Sequence, residues 1–585
     1  MKLIAVRQIP NERGPEMKSR KYLSLAILVV ASFLGTRMAV ADDAPERVFV
    51  NARIFTAEPN HPYAEAVAIR NDRIVAVGSW VDVEKAVGKQ AELVDLHGQW
   101  LLPGLIDSHS HSVQGGLSLI SADVSDKVQS MDGLVTFVAE AKKTGKGKRG
   151  DVLSITGMPL AFWSKTNELN AHFSVGAYAD LPIFLSGMDY HTGWANRVLL
   201  RRAGITRDFI QHLPATERQY YGLGADGEAN GFLVDAGLRK IQESLPAPTK
   251  EQLLQAGRAA LQYNHSLGIT SWLDPLADES VVATYRQLSE RGELSAHVAA
   301  FPQVFARKPA EELAGVQKLR QEFKGVPNLT IPGVKIFADG VVEFPSQTAA
   351  MSKPYRNTGK NGELLFDPAR FAELAIAADK QGLIVHVHAL GDQAVKESLN
   401  GIEAARKTNG NSGLPHTLTH VQFADPEDFP RFRQLGVIAA LQLLWASAEE
   451  DTIELVKPHL DPALYQWQYP ARSLLDNGAM ISGASDWPVS SANVFLAIYQ
   501  AETRKGPEGV LDPSQRMPRE AMLYAYTRNS ARAMNLQDII GSIAPGKQAD
   551  LVLVDRDVLT VSPEELKDTK VIWTVVGGKT VYHAK

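Results

Sequence analysis

Residues 103–111 read PGLIDSHSH, an apolar strand-like run ending in two histidines one residue apart. Side chains two apart on a strand face the same way, so His109 and His111 project together, about 6–7 Å apart along the chain. A lone strand histidine is most often a satisfied core residue. A pair aimed at one point from the C-terminal end of a strand suits Zn²⁺, which two neutral imidazoles can share.

Seven further runs share this texture: ITSWLD (269–274), AHVAAF (296–301), GVKIFAD (333–339), IVHVHA (384–389), TLTHVQ (417–422), VIAALQ (437–442) and MISGASD (480–486). Helical patterns such as 308–324 and 369–381 separate most of them. Strands alternating with helices indicate parallel βα units, and eight units are what a TIM (β/α)8 barrel requires. The gap between the first and second runs is too long for one crossover. Residues 112–250 therefore read as an insertion, with strand-like pieces at 152–157 and 182–187. Val- and Ile-rich runs at 46–58, 64–79 and 92–102 read as a small antiparallel sheet. The same texture returns at 541–556 and 570–583, where pairing with the first set would bring the two ends of the chain together.

Lys+Arg 61 against Asp+Glu 66 gives a net charge of −5, and no long basic run offers a footprint for nucleic acid. The absence of Cys removes disulfides, thiolate-bound zinc and a thiol nucleophile together. Residues 17–41 carry a basic start (Lys18, Arg20, Lys21), an apolar stretch from Leu23 to Leu34 and a small-x-small site at Ala39-Val40-Ala41. That pattern predicts a signal peptide within residues 1–41, with Met17 a candidate for the true start. An uncleaved anchor or a buried helix is the alternative. The expectation is a periplasmic or secreted protein beginning near Asp42, free of the membrane after cleavage.

The remaining chemistry-bearing residues also fall near strand ends. Lys335 sits inside an apolar run, where an unpaired ammonium is expensive; the bland reading pairs it with Asp339 on the same face. His386 and His388 share a face, His420 follows Thr419, and Asp486 precedes Trp487-Pro488. Together they place imidazoles, a carboxylate and a buried amine at one end of the strands, the constellation of a metal hydrolase.

On PGLIDSHSH, GVKIFADG (333–340), HALGDQAV (388–395), HTLTHVQF (416–423), GASDWPVS (483–490) and the tail 521–555, the chain resembles the amidohydrolase superfamily (amidohydrolase family 3), in its branch containing N-substituted formamide deformylases. The resemblance implies a distorted TIM barrel (103–111 and 251–540) with a composite β-sandwich (42–102 and 541–585) and the 112–250 insertion. It implies that His109 and His111 bind the more buried metal, that Lys335 is a carboxylated bridge, and that His388, rather than His386, holds a second ion with His420. Asp486 would ligate and act as general base and acid, and His191 in DYHTGWANRVLL (189–200) would face the developing oxyanion; a core or solvent histidine is an equal reading of His191. The implied cofactor is one or two divalent ions, Zn²⁺ by default, with Mn²⁺ or Fe²⁺ as alternatives. The implied substrate is a small amide, an N-substituted formamide or N-acyl amine. An ester, a carbamate or a cyclic amide is the rival, and a non-catalytic exported binding protein the more distant one. A homodimer is an expectation of the resemblance alone. Two departures fall on the expected pocket wall: Thr419 where many branch members have Glu, and VVEFPSQTAAM at 341–351. Trp163, Trp194, Trp445 and Trp487 are candidates to line an apolar cleft, or are simply packed.

Overall fold

All eight runs form strands, and all eight point the same way: β1 (Leu105–Asp107), β2 (Ile269–Asp274), β3 (His297–Ala300), β4 (Gly333–Phe337), β5 (Ile384–Ala389), β6 (Thr417–His420), β7 (Ile438–Leu441) and β8 (Met480–Gly483). The computed structural model describes residues 47–585 except 88, 89 and 126. The 17–41 leader lies outside the described residues. Six of the eight strands are buried at every position. Strands covered on both faces need continuous apolar sequence, which is why these runs stood out.

They are arranged as two parallel sheets. One runs Leu329–Thr330, β3, β2, β1, and the other β4 through β8 in chain order. Among the described residues one closed ladder, as the barrel expectation had it, is not present. Isolated bonds join the seams: Lys335 N–H to Pro302 O (2.9 Å) and Val304 N–H to Lys335 O (2.8 Å) at one, Ser108 N–H to Gly483 O (2.9 Å) at the other. Helices Glu279–Glu290, Pro309–Glu322, Pro368–Lys380, Asp392–Asn409 and Phe429–Leu435 fill the crossovers. Their starts follow local chemistry. Asp278 accepts from Val281 N–H at 2.9 Å, and Asp367 precedes Pro368 and accepts from Arg370 N–H at 3.0 Å.

Between β1 and β2 the chain makes a separate sheet that includes Val152–Met158, Ile183–Gly187, Thr192–Ala195 and Ala229–Val234. Leu134, Ile155, Phe173 and Trp194 form a core of its own. The helix Ser112–Ile120, which opens the segment read as insertion, packs instead in the main core through Val113. The two chain ends meet in a six-stranded sheet in which Leu551–Val554 lies between Trp100–Pro103 and Val571–Val576. The N-terminal strands are not purely antiparallel as expected. Arg53–Phe55 pairs parallel with Trp100–Pro103, and Arg47–Val50 pairs parallel with Glu92–Asp95. Phe49 and Val67 of the four-stranded sheet share one apolar cluster with Leu101, Leu551 and Val575 of the six-stranded one.

Candidate metal centre

The C-terminal ends of β1, β5, β6 and β8 deliver the centre. His109, His420 and Asp486 are buried, and one ligand-type atom from each lies within 4.8 Å of the others. Asp486 Oδ1 is 3.3 Å from His109 Nε2 and 3.1 Å from His111 Nε2. His420 Nε2 and Asp486 Oδ1 are buried without a hydrogen-bond partner. Unsatisfied buried atoms are costly, so two of them converging on one point with His109 fit a bound cation.

The surrounding hydrogen bonds fix the tautomer of His420. Gln442 Nε2 donates to Thr419 Oγ1 (3.1 Å), leaving Gln442 Oε1 to accept from His420 Nδ1 (3.0 Å). The lone pair of His420 is therefore on Nε2, toward Asp486. His109 Nδ1 lies 2.7 Å from His386 Nε2, and His386 Nδ1 lies 2.5 Å from Thr417 Oγ1. Burial, followed by neighbouring cationic groups, holds His109 well below its ordinary pKa; burial does the same to His420. Both are neutral, as ligands must be. Burial opposes ionisation of Asp486, but nearby His111, followed by His420 and Lys335, keeps its carboxyl below the usual range. Asp107 braces the strand ends, accepting from His109 N–H (3.1 Å) and from Ser485 N–H (3.0 Å) and Oγ–H (2.5 Å).

The other predicted residues surround this core without joining its ligand group. Lys335 is buried, its Nζ 4.7 Å over the Phe337 ring, and burial lowers it to about 7 against the pull of Asp486. It is not tied to Asp339, whose carboxylate accepts instead from Ala350, Leu390 and Gly391 N–H at 3.0, 3.0 and 2.8 Å. A Cβ on Gly391 would meet Ala350 O at 2.1 Å, so only glycine fits there. His388 rings contact His420 (4.5 Å between centroids) and His191 (5.3 Å), while His388 Nε2 lies 3.2 Å from Gly340 O. His386, which shares its face, has both nitrogens engaged.

His191 reaches the centre from the insertion and bonds Asp235 through Nδ1 at 2.7 Å. Burial opposes its charge, but the Asp235 hydrogen bond and carboxylate raise it to about 9. Sequence reading missed Asp235, although it stands directly after the strand Ala229–Val234, the strand-end position that marked the others. It also missed Asp107, Gln442 and the part played by His386. His420 (φ 75°), Asp486 (φ 59°), Tyr190 (φ 58°) and Asp235 (φ 42°) all occupy the left-handed region. Non-glycine residues there are strained, and such strain concentrates at functional sites.

A cavity of about 930 Å³ opens above the centre, with His191, His388, His420 and Asp486 on its wall. Trp445 and Trp487 line it; Trp163 and Trp194 are packed in the insertion core. Trp445 stacks on His420, 5.5 Å between centroids and 6° between planes. A Cβ on Gly115 would strike the Trp487 ring at 2.5 Å. Val341 and Glu343 of the divergent 341–351 run line the cavity, whereas Thr419 lies fully buried with its hydroxyl 3.2 Å from Ala440 O.

Parallel strands ending in a cluster of neutral imidazoles and a carboxylate beneath a cavity define a metal-dependent hydrolase acting on carbon–nitrogen bonds. The chain belongs to the amidohydrolase family, whose sequence profile matches residues 92–582. It is 28% identical over 580 residues to Protein LONG AFTER FAR-RED 3 of Arabidopsis thaliana, which covers 96% of each chain. It is 23% identical over 561 residues to an N-substituted formamide deformylase of Arthrobacter pascens, 92% of this chain and 98% of that one. The fold is similar to that of an uncharacterized metal-dependent hydrolase from Pyrococcus horikoshii OT3, with TM-score 0.68 and 23% identity over 89% of this chain and 99% of the other.

Proposed function

We propose that the protein is an exported hydrolase of a small non-peptide amide, an N-substituted formamide or N-acyl amine, giving a carboxylic acid and an amine. The observation that carries this is the convergence of His109 with the unsatisfied buried atoms of His420 and Asp486 at the foot of the cavity. His109, His111 and Asp486 would hold one divalent ion, and His388 and His420, with a carboxylated Lys335, a second. Zn²⁺ suits this nitrogen- and oxygen-donor set. Such ions, when bound, acidify water and polarise a carbonyl.

The chain's own groups supply the rest. Asp486 stands where it can take the proton from the attacking water and return it to the departing nitrogen. His191, cationic through Asp235, donates toward the oxygen on which charge develops. Trp445 and Trp487 exclude water from one side. The formamide branch is supported by the 23% likeness over nearly the full length. The two parallel sheets, bonded at both seams, support reading them as halves of a distorted (β/α)8 barrel. Export rests on the 17–41 pattern.

The test is turnover of a matched panel of formamides, acetamides, esters and carbamates by the zinc-loaded protein, with amine and alcohol release measured separately. Amine release that is lost on chelation and restored by zinc is expected. Alcohol release alone, or undiminished turnover with no bound cation, would overturn the proposal.

A further inference from the structure

Part of the cavity wall is strongly acidic. Asp189, Glu343 and the neighbouring pair Glu449 and Asp451 come from three separate segments and all line it. They lie close enough to act on one another. Burial, then Glu343, Glu449, Glu450 and Asp189, push the Asp451 carboxyl up to about 7, and burial followed by Asp189 among others raises Glu343. The cations on the same wall are turned elsewhere. His191 pairs with Asp235, Lys505 Nζ with Glu564 (3.1 Å), and Lys127 Nζ donates to Asp123 O (3.0 Å). Lys146 is exposed at the rim.

Clustered carboxylates alone do not make a site, but a second observation points the same way. Gln422, 1% exposed, lines the cavity, donates from Nε2 to Glu343 (2.8 Å) and leaves its Oε1 buried without a partner. Asp189 Oδ1 is used up on His191 N–H, Thr192 N–H and Thr192 Oγ–H, while its Oδ2 also lacks a partner. Two idle acceptors beside four acidic side chains, of which only Asp189 has a cationic neighbour in His191, call for a further donor with positive charge. A second metal ion does not fit the need. Among the described residues the only group of three or more His or acidic side chains with ligand atoms within 4.8 Å is His109, His420 and Asp486. Carboxylates spread around a wall, with Trp445 and Trp487 beside them, suit a larger organic cation, which gains from both carboxylate hydrogen bonds and aromatic faces.

We propose that this pocket selects an amide carrying a positive charge, an ammonium or guanidinium, away from its scissile bond. The proposal rests on the amide-cleaving reading of the same site, and the test separates the two. Binding of hexylammonium chloride and of neutral 1-hexanol to the zinc-loaded protein is followed by tryptophan fluorescence. In parallel, turnover is compared for two formamides of equal chain length, one ending in an ammonium and one in a methyl group. Hexylammonium is expected to bind at least tenfold more tightly than hexanol, with the advantage shrinking as salt screens the wall. Glu343→Gln, and independently Asp451→Asn, should each cut that advantage several-fold. Equal binding of the two probes, or an advantage that survives in both variants, would overturn the proposal. Selective binding with neither formamide cleaved keeps the charge preference and removes the amide reading. Cleavage of both at equal rates with unselective binding does the reverse.

Discussion

His416 and His420 stand four residues apart at opposite ends of β6, both buried, both beside a buried aspartate, and they do opposite things. His416 Nδ1 accepts from Val385 N–H (3.0 Å), so its Nε2 proton points to Asp379 (3.0 Å). Asp379 also receives Arg406 Nη1 (2.7 Å), Ser412 Oγ (2.5 Å) and Asn409 Nδ2 (3.0 Å). The network is closed. At the other end His420 and Asp486 each keep a buried atom with nothing to bond. The same residue types thus make a staple at the N-terminal end of the strand and a reactive centre at the C-terminal end. This division of labour is expected of parallel α/β folds.

That contrast can be broken in graded ways. Asp486→Asn should have the largest effect, a fall of about 10²–10⁴ in kcat, because it removes the proton acceptor. Asn tolerates the left-handed backbone at this position, so thermal unfolding should shift little. A kcat near wild type would remove Asp486 from its role. Asp379→Asn should do the converse. Leaving Arg406 without its carboxylate costs about 3–5 kcal/mol of stability by the usual penalty for a half-broken buried pair. Below the unfolding temperature kcat should change little.

The acid limb of stability supplies a related check. Burial opposes ionisation of Asp379, but hydrogen bonds from His416, Ser412 and Asn409 hold its carboxyl well below the ordinary 3.8. A depressed folded-state pKa gives stability that is full above the unfolded value and is lost as pH falls through about 4 and below. Unfolding free energy measured against pH should therefore decline more gently below pH 4 in Asp379→Asn than in the parent. A parallel decline would show that the pair does not titrate in this way.

Smaller effects probe the support of the open end. His386→Phe removes the partner of His109 Nδ1 and should weaken zinc binding about 10–100-fold, as losses of such orienting contacts do. Titration against a competing chelator measures it. Thr417→Val, one bond further back, should cost no more than about 0.5–1.5 kcal/mol in the same titration. Were Thr417→Val the more damaging of the two, the line of support drawn from Thr417 through His386 to His109 would be wrong.

The eight strands were legible because sequence buried on both faces cannot hide its apolar character. His109, His111, His420 and Asp486 were legible because they interrupt that character at strand ends. Three things were not. The partition into two sheets depends on inter-strand register at the seams, which no run of residues encodes locally. The parallel pairing of Arg53–Phe55 with Trp100–Pro103 looks, residue by residue, like an antiparallel neighbour. Asp235 is 44 residues from His191 and meets it only because Thr192–Ala195 and Ala229–Val234 are adjacent strands. Side-chain spacing reports which residues share a face, not which distant face they meet.

The pairing of Leu551–Val554 with Trp100–Pro103 has a consequence for biosynthesis. Some 450 residues separate the partners, so at roughly 5–20 residues per second the earlier strand leaves the ribosome about 20–90 s before its neighbour exists. During that interval Trp100–Pro103 has only its other neighbour, Arg53–Phe55, in place, so Leu101 and Leu102, fully buried in the finished protein, are only partly covered. A nascent chain of this kind is a natural client for a holding chaperone, and a stop codon a few dozen residues early would strand it there.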